Sequence, residues 1–135
     1  MRYASYSNPS HFFFARTVGA LVEIDDIRDQ LRLFASERQW EKFHSPKNLA
    51  TALAIEAAEL LEHFQWLTDS ESGALSPEVR EKAVLEMADV FLYLVRLADK
   101  LDANIIDAAR RKLIINAQKY PIALVKGSAK KYTEL

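Results

Sequence analysis

The chain has 135 residues, a length that fits one domain with a modest core and falls short of two. Half of the residues are apolar and 27% are charged, while three Gly and four Pro leave little material for the many turns of an all-β fold. A net charge of −1 gives no basic field that attracts a nucleic acid polymer. The chain has no cysteine, which excludes disulfides and thiolate metal sites. We expect a cytoplasmic protein.

Residues 1–23 form an N-terminal extension whose unusual feature is the run His11-Phe12-Phe13-Phe14-Ala15. The run is too short for the apolar part of a signal peptide and lacks a clear cleavage site. No stretch approaches the roughly 18 to 20 apolar residues of a membrane span, so no membrane partner is expected. We expect the extension to pack on a neighbouring subunit or to be partly disordered.

The first predicted helix opens near Asp25 or Asp26, either of which can cap it, and runs to about Arg38 or Trp40. Its apolar face has helical spacing and comprises Ile27, Leu31, Phe34 and Ala35. The segment Glu41–Ser45 is then predicted to be a connection.

Two further helices each begin with a serine cap followed by proline, a signal typical of a helix N-terminus. Ser45-Pro46 starts the second helix, which is predicted to reach about Trp66. The polar segment Thr68–Ser76 is predicted to be a loop. Ser76-Pro77 starts the third and longest helix, which is predicted to end near Leu101.

A fourth helix is predicted from about Asn104 to Lys119 and is stopped by Pro121, with residues 121–135 forming an irregular C-terminal arm. The fold class is therefore all-α, with a four-helix bundle over residues 24–120. The helices are apolar on wide faces, so we expect a homo-oligomer in which a second copy covers them.

The second helix carries two carboxylates in an apolar context. Glu56 and Glu59 are three residues apart and project from one face of the helix, and Glu56 is flanked by Ile55 and Ala57. Burying a carboxylate without a partner costs several kcal/mol. A counter-charge or a bound cation is therefore expected.

The third helix repeats this arrangement with Glu86 and Asp89, again among apolar residues. If the two helices pack antiparallel, all four carboxylates meet in one cleft. Oxygen ligands without cysteine or histidine suit Mg²⁺, with Mn²⁺ as a possible substitute, and disfavour zinc. Magnesium also takes substrate phosphates as ligands, so the pattern predicts a polyphosphate substrate.

The carboxylates of the second and third helices also have other interpretations. They could form a solvated face, or structural salt bridges to Lys82, Arg96 or Arg110. A di-iron bundle requires Glu-x-x-His on two helices. Here His63 stands one place too far from Glu59 and the third helix has no histidine, which excludes that class.

The pattern E-x-x-E followed by E-x-x-D resembles the signature of the all-α nucleotide pyrophosphohydrolases, which include MazG, the dimeric dUTPases and the dCTP pyrophosphatases. Within them the chain is most similar to the dCTP pyrophosphatases. The segments that carry this likeness are Glu37–His44, Pro46–Leu49, Phe64–Trp66, Tyr120-Pro121, Gly127–Ala129 and Lys131–Thr133.

The resemblance implies a MazG-type bundle that assembles as a dimer or a dimer of dimers with composite active sites. It implies that Glu56, Glu59, Glu86 and Asp89 hold Mg²⁺ and that the reaction releases pyrophosphate. Glu56 and Glu59 are then the catalytic candidates, and Glu59 is the first choice for the group that contacts the attacking water.

The resemblance also implies substrate-binding residues. Trp40 and Trp66 would stack on the base, the alternative being ordinary core packing. Tyr93, one turn beyond Asp89, would bond sugar or phosphate. The other candidates are basic or polar and would contact the phosphates, although a solvated basic face is also possible; they are Lys112, Asn116, Lys119, Lys130, Lys131 and Tyr132.

Leu31 stands where the dCTP-specific relatives carry a histidine that faces the base. Losing a polar contact at the base edge can relax discrimination between bases. We expect dCTP or a 5-modified dCTP as substrate, in nucleotide pool cleansing, and keep dTTP, dUTP and damaged nucleotides open. The alternatives are a non-catalytic nucleotide-binding or regulatory helical module, and a purely structural helical oligomer.

Overall fold

A computed structural model describes residues 24–129 together with Lys131 and Thr133. Within that part every regular element is a helix, and four of these helices are long, which confirms the all-α prediction. The expectations for residues 1–23, Lys130 and Tyr132 fall outside the described residues. The elements are α1 (Ile24–Glu37), a 3₁₀ helix (Trp40–Phe43), α2 (Pro46–Glu62), α3 (Asp69–Ser72), α4 (Pro77–Lys100), α5 (Ile105–Lys119) and α6 (Ile122–Val125).

The two serine caps form as predicted. The Ser45 hydroxyl accepts a hydrogen bond from the backbone N–H of Asn48 at 3.2 Å. The Ser76 hydroxyl accepts one from the N–H of Val79 at 3.3 Å. Each cap satisfies an N–H that the first turn leaves without a helical partner, which fixes where α2 and α4 begin.

Three predicted boundaries were wrong. The second helix ends at Glu62, not near Trp66, and the chain continues as hydrogen-bonded turns. The segment predicted to be a loop contains α3, because Thr68 and Glu71 form a reciprocal capping box that stabilises a single turn. The C-terminal arm likewise contains one helical turn, α6, directly after Pro121.

The first helix already includes Ile24, so Asp25 and Asp26 lie in its first turn and the prediction that one of them caps it was wrong; the helix also ends earlier than predicted, at Glu37. Gln39 adopts a left-handed backbone conformation (φ 55°, ψ 33°), which breaks the helical path and reverses the chain. The 3₁₀ helix follows at once, so the predicted connection between the first two helices is ordered.

Helices α2 and α4 pack along each other, and α1 packs across α4. Contacts show that α2 and α4 are antiparallel, because Glu56 lies near Glu86 whereas Glu41, before α2, pairs with Lys100 at the end of α4. Among the described residues, the buried apolar side chains are few and mostly small, and they come from these three helices: Ala35, Leu49, Ala83, Val95 and Ala98.

Helix α5 packs only marginally on the other described helices. Large apolar side chains of α5 are exposed, including Leu113 and Ile114, and α4 likewise exposes Leu85 and Met87. A single chain therefore leaves wide apolar surface open to water. In the described part of the chain, no helix combines the length and apolar character needed to cross a membrane.

Candidate active site

The packing of α2 on α4 brings three carboxylates together. Each of Glu56, Glu86 and Asp89 offers an oxygen, and these oxygens all lie within 4.8 Å of one another. Glu56 and Glu86 are half-buried, whereas Asp89 is exposed. A cation placed among them would be within reach of three oxygen ligands, a donor set that suits Mg²⁺ or Mn²⁺.

The acidic cluster, defined as Glu56, Glu86 and Asp89, has no counter-cation among the described side chains. The three basic residues considered as structural partners all pair elsewhere: Lys82 with Glu78, Arg96 with Glu41 and Asp99, and Arg110 with Asp107. The salt-bridge interpretation of the carboxylates was therefore wrong for these three partners.

Partial burial and crowding raise the pKa of Glu56 above its ordinary value. The largest cause is desolvation, followed by repulsion from Glu59, Asp89 and Glu86. Both causes disfavour the charged carboxylate, and a bound divalent cation would reverse them by supplying positive charge at the same place.

Glu59 lies one turn along α2 from Glu56 and is exposed. Its carboxylate is close enough to contribute to the raised pKa of Glu56, but it is not one of the three that converge within 4.8 Å. The structure thus brings three of the four predicted ligands together and leaves the fourth beside them. A metal-binding role for Glu59 stays a prediction.

Tyr93 lies on α4 one turn beyond Asp89 and is half-buried. The pKa of its phenol is raised above the ordinary value, first by desolvation and then by the negative charges of Glu56 and Asp89. The hydroxyl therefore stays protonated beside the cluster, where it can donate a hydrogen bond to an anionic ligand.

Neither tryptophan is a core residue, so the alternative of ordinary core packing was wrong. Trp40 is 43% exposed and sits in the 3₁₀ helix, and Trp66 is 86% exposed after the end of α2. The Trp40 ring meets the rings of Phe34 and His44 edge-on, with centroids 5.7 and 6.2 Å apart. Two large aromatic surfaces thus remain available to a ligand or a second chain.

The predicted phosphate-binding residues of α5 lie on the helix that packs least on the others. Lys112 and Lys119 are exposed and Asn116 is half-buried, and Lys131 is exposed in the arm. None of these residues contributes to the shifted pKa of Glu56. In one chain α5 packs only marginally on α2 and α4, so the role of these residues at the acidic cluster stays a prediction.

Sequence reasoning missed a second charged group, in which each carboxylate is paired with two cations. Arg96, which is 4% exposed, pairs through its guanidinium with Asp99 at 2.7 Å and with Glu41. Arg32 of α1 also binds Asp99, and Lys100 binds Glu41. The sequence signal was the i, i+3 spacing of Arg96 and Asp99 inside an apolar stretch of α4.

Comparison with known proteins identifies the family to which the chain belongs. Residues 51–135 match the model of the MazG-like family. The chain belongs to the MazG-like family. The matched residues include all four predicted metal ligands, whereas Trp40 and Glu41 precede them.

Among curated relatives, dCTP pyrophosphatase 1 from Rattus norvegicus is 45% identical over 114 residues, covering 83% of this chain and 67% of the relative. The Homo sapiens protein of the same name is 46% identical over an equal span. A pyrophosphatase of known structure from Archaeoglobus fulgidus is 39% identical, with a TM-score of 0.67, and covers 78% of this chain and 99% of that one.

These findings confirm the MazG-like fold and the predicted enzyme class, a nucleoside triphosphate pyrophosphohydrolase. The interpretation as a purely structural helical oligomer was wrong. In a MazG-like enzyme, the acidic cluster on α2 and α4 is the chemically distinctive part of the described surface, since like charges there converge without compensation.

Proposed function

We propose that this MazG-like enzyme hydrolyses a deoxynucleoside triphosphate, with dCTP or a 5-modified dCTP favoured, to the monophosphate and pyrophosphate. One observation carries the proposal: Glu56, Glu86 and Asp89 converge within 4.8 Å with no cation among the described side chains to offset them. A polyphosphate carried with a divalent cation would bring the positive charge that this arrangement lacks.

The residues of the acidic cluster fit Mg²⁺, with Mn²⁺ as a substitute, because all three are hard oxygen donors at ligand spacing. They would hold the ion together with Glu59. When bound, the ion would neutralise negative charge on the phosphate oxygens.

Glu59 is the proposed base. It stands one turn from Glu56, is exposed, and lies outside the three converging oxygens, so one of its lone pairs is available to a water. Glu59 would accept a proton as the water oxygen forms its bond to the α-phosphorus. The bond from that phosphorus to the oxygen bridging to the β-phosphate then breaks, and pyrophosphate leaves with the electron pair.

The remaining predicted residues would bind the substrate. Trp40 and Trp66 would stack on the base, which their exposure supports, and Tyr93 would donate to a phosphate or sugar oxygen. Four residues of α5 and the arm would contact the phosphates, with Tyr132 completing the set: Lys112, Asn116, Lys119 and Lys131.

The base preference rests on relatives named dCTP pyrophosphatase that are about 45% identical to this chain. Leu31, half-buried on α1, offers no polar group to a base edge. Selectivity against other pyrimidine nucleotides would then be weak, because a polar contact at the base edge supplies the largest discrimination. Cleansing of the cytoplasmic nucleotide pool is the proposed role.

We further propose a homodimer or dimer of dimers with composite sites. The exposed apolar residues of α4 and α5 support this, since a single chain leaves them in water. A second copy that packs on α5 would also move the predicted phosphate-binding residues closer to an acidic cluster than one chain does alone.

The test is a pyrophosphate-release assay over the four canonical dNTPs, the NTPs and 5-methyl-dCTP, with Mg²⁺ and then with EDTA. We expect release led by a cytosine deoxynucleotide and abolished by EDTA. Glu59→Gln should lower kcat by about 10³-fold, the order expected for loss of a catalytic base together with charge at the site.

Glu62→Gln is the matched control, because Glu62 is an exposed acid on the same helix and lies outside the cluster. It should retain the parental rate. Release led by another base would overturn the substrate and keep the chemistry. Nucleotide binding with metal and no pyrophosphate from any substrate would support the binding-module alternative instead.

A further inference from the structure

The corner between α1 and α2, residues 38–45, carries Trp40 and is held by its own backbone. Gln39 reverses the chain in a left-handed conformation with φ 55°. The backbone N–H of His44 donates to the carbonyls of Trp40 at 3.2 Å and Glu41 at 3.3 Å. The Asn48 side chain also donates to the carbonyl of Phe43 at 2.9 Å. These bonds fix the path of the corner but not the orientation of its side chains.

The orientation of the Trp40 ring is set by its aromatic neighbours. Phe34 meets it at an interplanar angle of 76° and His44 at 68°, so both contacts are edge-on. Edge-on pairs are directional, because the positive edge of one ring meets the negative face of another. Any shift of His44 therefore changes the pose of Trp40.

Helix α4 holds the corner through Arg96. The nearly buried guanidinium pairs with Glu41, donates from Nε to Nδ1 of His44 at 3.4 Å, and binds Asp99 at 2.7 Å. Burial lowers the pKa of His44, and the positive charge of Arg96 lowers it further, which keeps the ring neutral and able to accept. Lys100 adds a second cation to Glu41.

The same face of α4 carries the acidic cluster. Asp89, Tyr93 and Arg96 are spaced by four and three residues and so lie along one face of the helix. Arg96 stands two turns beyond Asp89, about 10 Å along the axis at 1.5 Å per residue. One rigid helix therefore sets both the position of the acidic cluster and the position of the corner.

We infer that Glu41 and Arg96 are positioning residues for base recognition, which act by fixing Trp40 relative to the acidic cluster. The inference rests on the proposed function, since it needs Trp40 to contact the base. The corner also precedes residues 51–135, the part that matches the general family model. Trp40 and Glu41 therefore lie outside the part of the chain that the general family model covers, whereas the acidic cluster lies inside it.

The test is a double-mutant cycle between Glu41→Gln and Trp40→Ala, with KM and kcat measured separately for dCTP and dTTP. Glu41→Gln removes the charge that two cations of α4 hold, at little change in volume. We expect each single variant to raise KM for dCTP about tenfold, the order of one base stacked on an aromatic ring, with kcat changed less than about twofold. The double variant should be no worse than Trp40→Ala alone.

A spectroscopic measurement reports the pose directly. In a Trp66→Phe background Trp40 is the sole tryptophan, since the chain has two. Glu41→Gln should shift its emission to longer wavelength as the ring loosens from His44 and becomes more hydrated. The exposed pair Lys82 and Glu78 on α4 supplies the control, because Lys82→Met breaks an ion pair that does not reach the corner.

The outcomes separate the two proposals. If the parent enzyme releases no pyrophosphate, the proposed function fails before the cycle begins. If the parent is active but the effects of Glu41→Gln and Trp40→Ala multiply, the positioning role is overturned, because Glu41 then acts independently of Trp40. An unshifted Trp40 emission together with unchanged KM in Glu41→Gln would also overturn it.

Discussion

Two groups of charged side chains lie along α4, and they differ in how their charges are paired. At the acidic cluster, carboxylates of one sign converge within 4.8 Å and raise the pKa of Glu56. Around Arg96, near the other end of α4, carboxylates are paired with guanidinium and ammonium groups, and the pKa values of Glu41 and Asp99 are lowered. A buried carboxylate paired with cations loses stability when a partner is removed, whereas like charges that converge without a counter-charge are retained at a cost and are typical of a ligand site.

The largest expected effect breaks the acidic cluster. Asp89→Asn should lower pyrophosphate release by about 10³-fold, since it removes an oxygen ligand and a charge from the site. The same change should raise the melting temperature of the metal-free protein, because repulsion on Glu56 falls. Pyrophosphate-release assays with Mg²⁺ measure the loss of activity, and thermal melts in EDTA measure the gain in stability. A lower melting temperature in EDTA would show that the carboxylates of the acidic cluster do not repel one another as described.

The second effect breaks the paired charges around Arg96. Arg96→Met leaves Asp99 nearly buried with one cation fewer, so we expect a loss of about 3 kcal/mol in the free energy of unfolding. Urea denaturation monitored by circular dichroism measures it. A loss under about 1 kcal/mol would show that the group is solvated in solution and behaves as a set of surface ion pairs.

The third effect is the pH dependence of stability. The pKa of Asp99 is lowered chiefly by its hydrogen bond with Arg32, with Arg96 adding to the shift. Its pKa in the folded state lies below its pKa in the unfolded state. Its contribution to the free energy of unfolding is therefore complete above the ordinary carboxyl range, about pH 4, and is lost as the pH falls through the folded pKa. Asp99→Asn should therefore make the free energy of unfolding fall less steeply between pH 6 and pH 2, as measured by urea denaturation at a series of pH values.

The smallest expected effect belongs to an exposed pair on the same helix. Lys82 and Glu78 are an i, i+4 pair 2.7 Å apart, and both side chains are largely exposed. Lys82→Met should change the free energy of unfolding by less than about 0.5 kcal/mol and leave pyrophosphate release unchanged. A larger change in the free energy of unfolding would show that this exposed pair contributes as much as the buried pairs, so that burial does not explain the difference between them.

The sequence predicted the features that depend on local pattern. The serine–proline starts of α2 and α4 and the pair Glu86 and Asp89 on one face of α4 follow from helix geometry, and both were found. The end of α1 could not be predicted, because the left-handed conformation of Gln39 is not typical of that residue. Nor could the α3 turn be separated from a loop, since its sequence is polar and short.

The long-range pairs were beyond the sequence for a different reason. Nothing in the pattern shows that Arg96 reaches Glu41, 55 residues earlier, or that Asp99 reaches Arg32, 67 residues earlier. Such contacts depend on how α1 crosses α4. The arrangement of α5 residues around the phosphates depends on surfaces that one chain leaves open, so neither the sequence nor a single chain determines it.

These chain separations have a consequence for the order of folding. Glu56 and Glu86 are 30 residues apart, joined through the segment 63–76 that contains α3, whereas the contact between Arg96 and Glu41 closes a loop of 55 residues, which costs more entropy. The helix pair with the acidic cluster should therefore form before α1 docks. Native-state hydrogen exchange should show α1 opening at a lower free energy than α2 and α4. An equal opening energy for all three would mean that the domain folds as one cooperative unit.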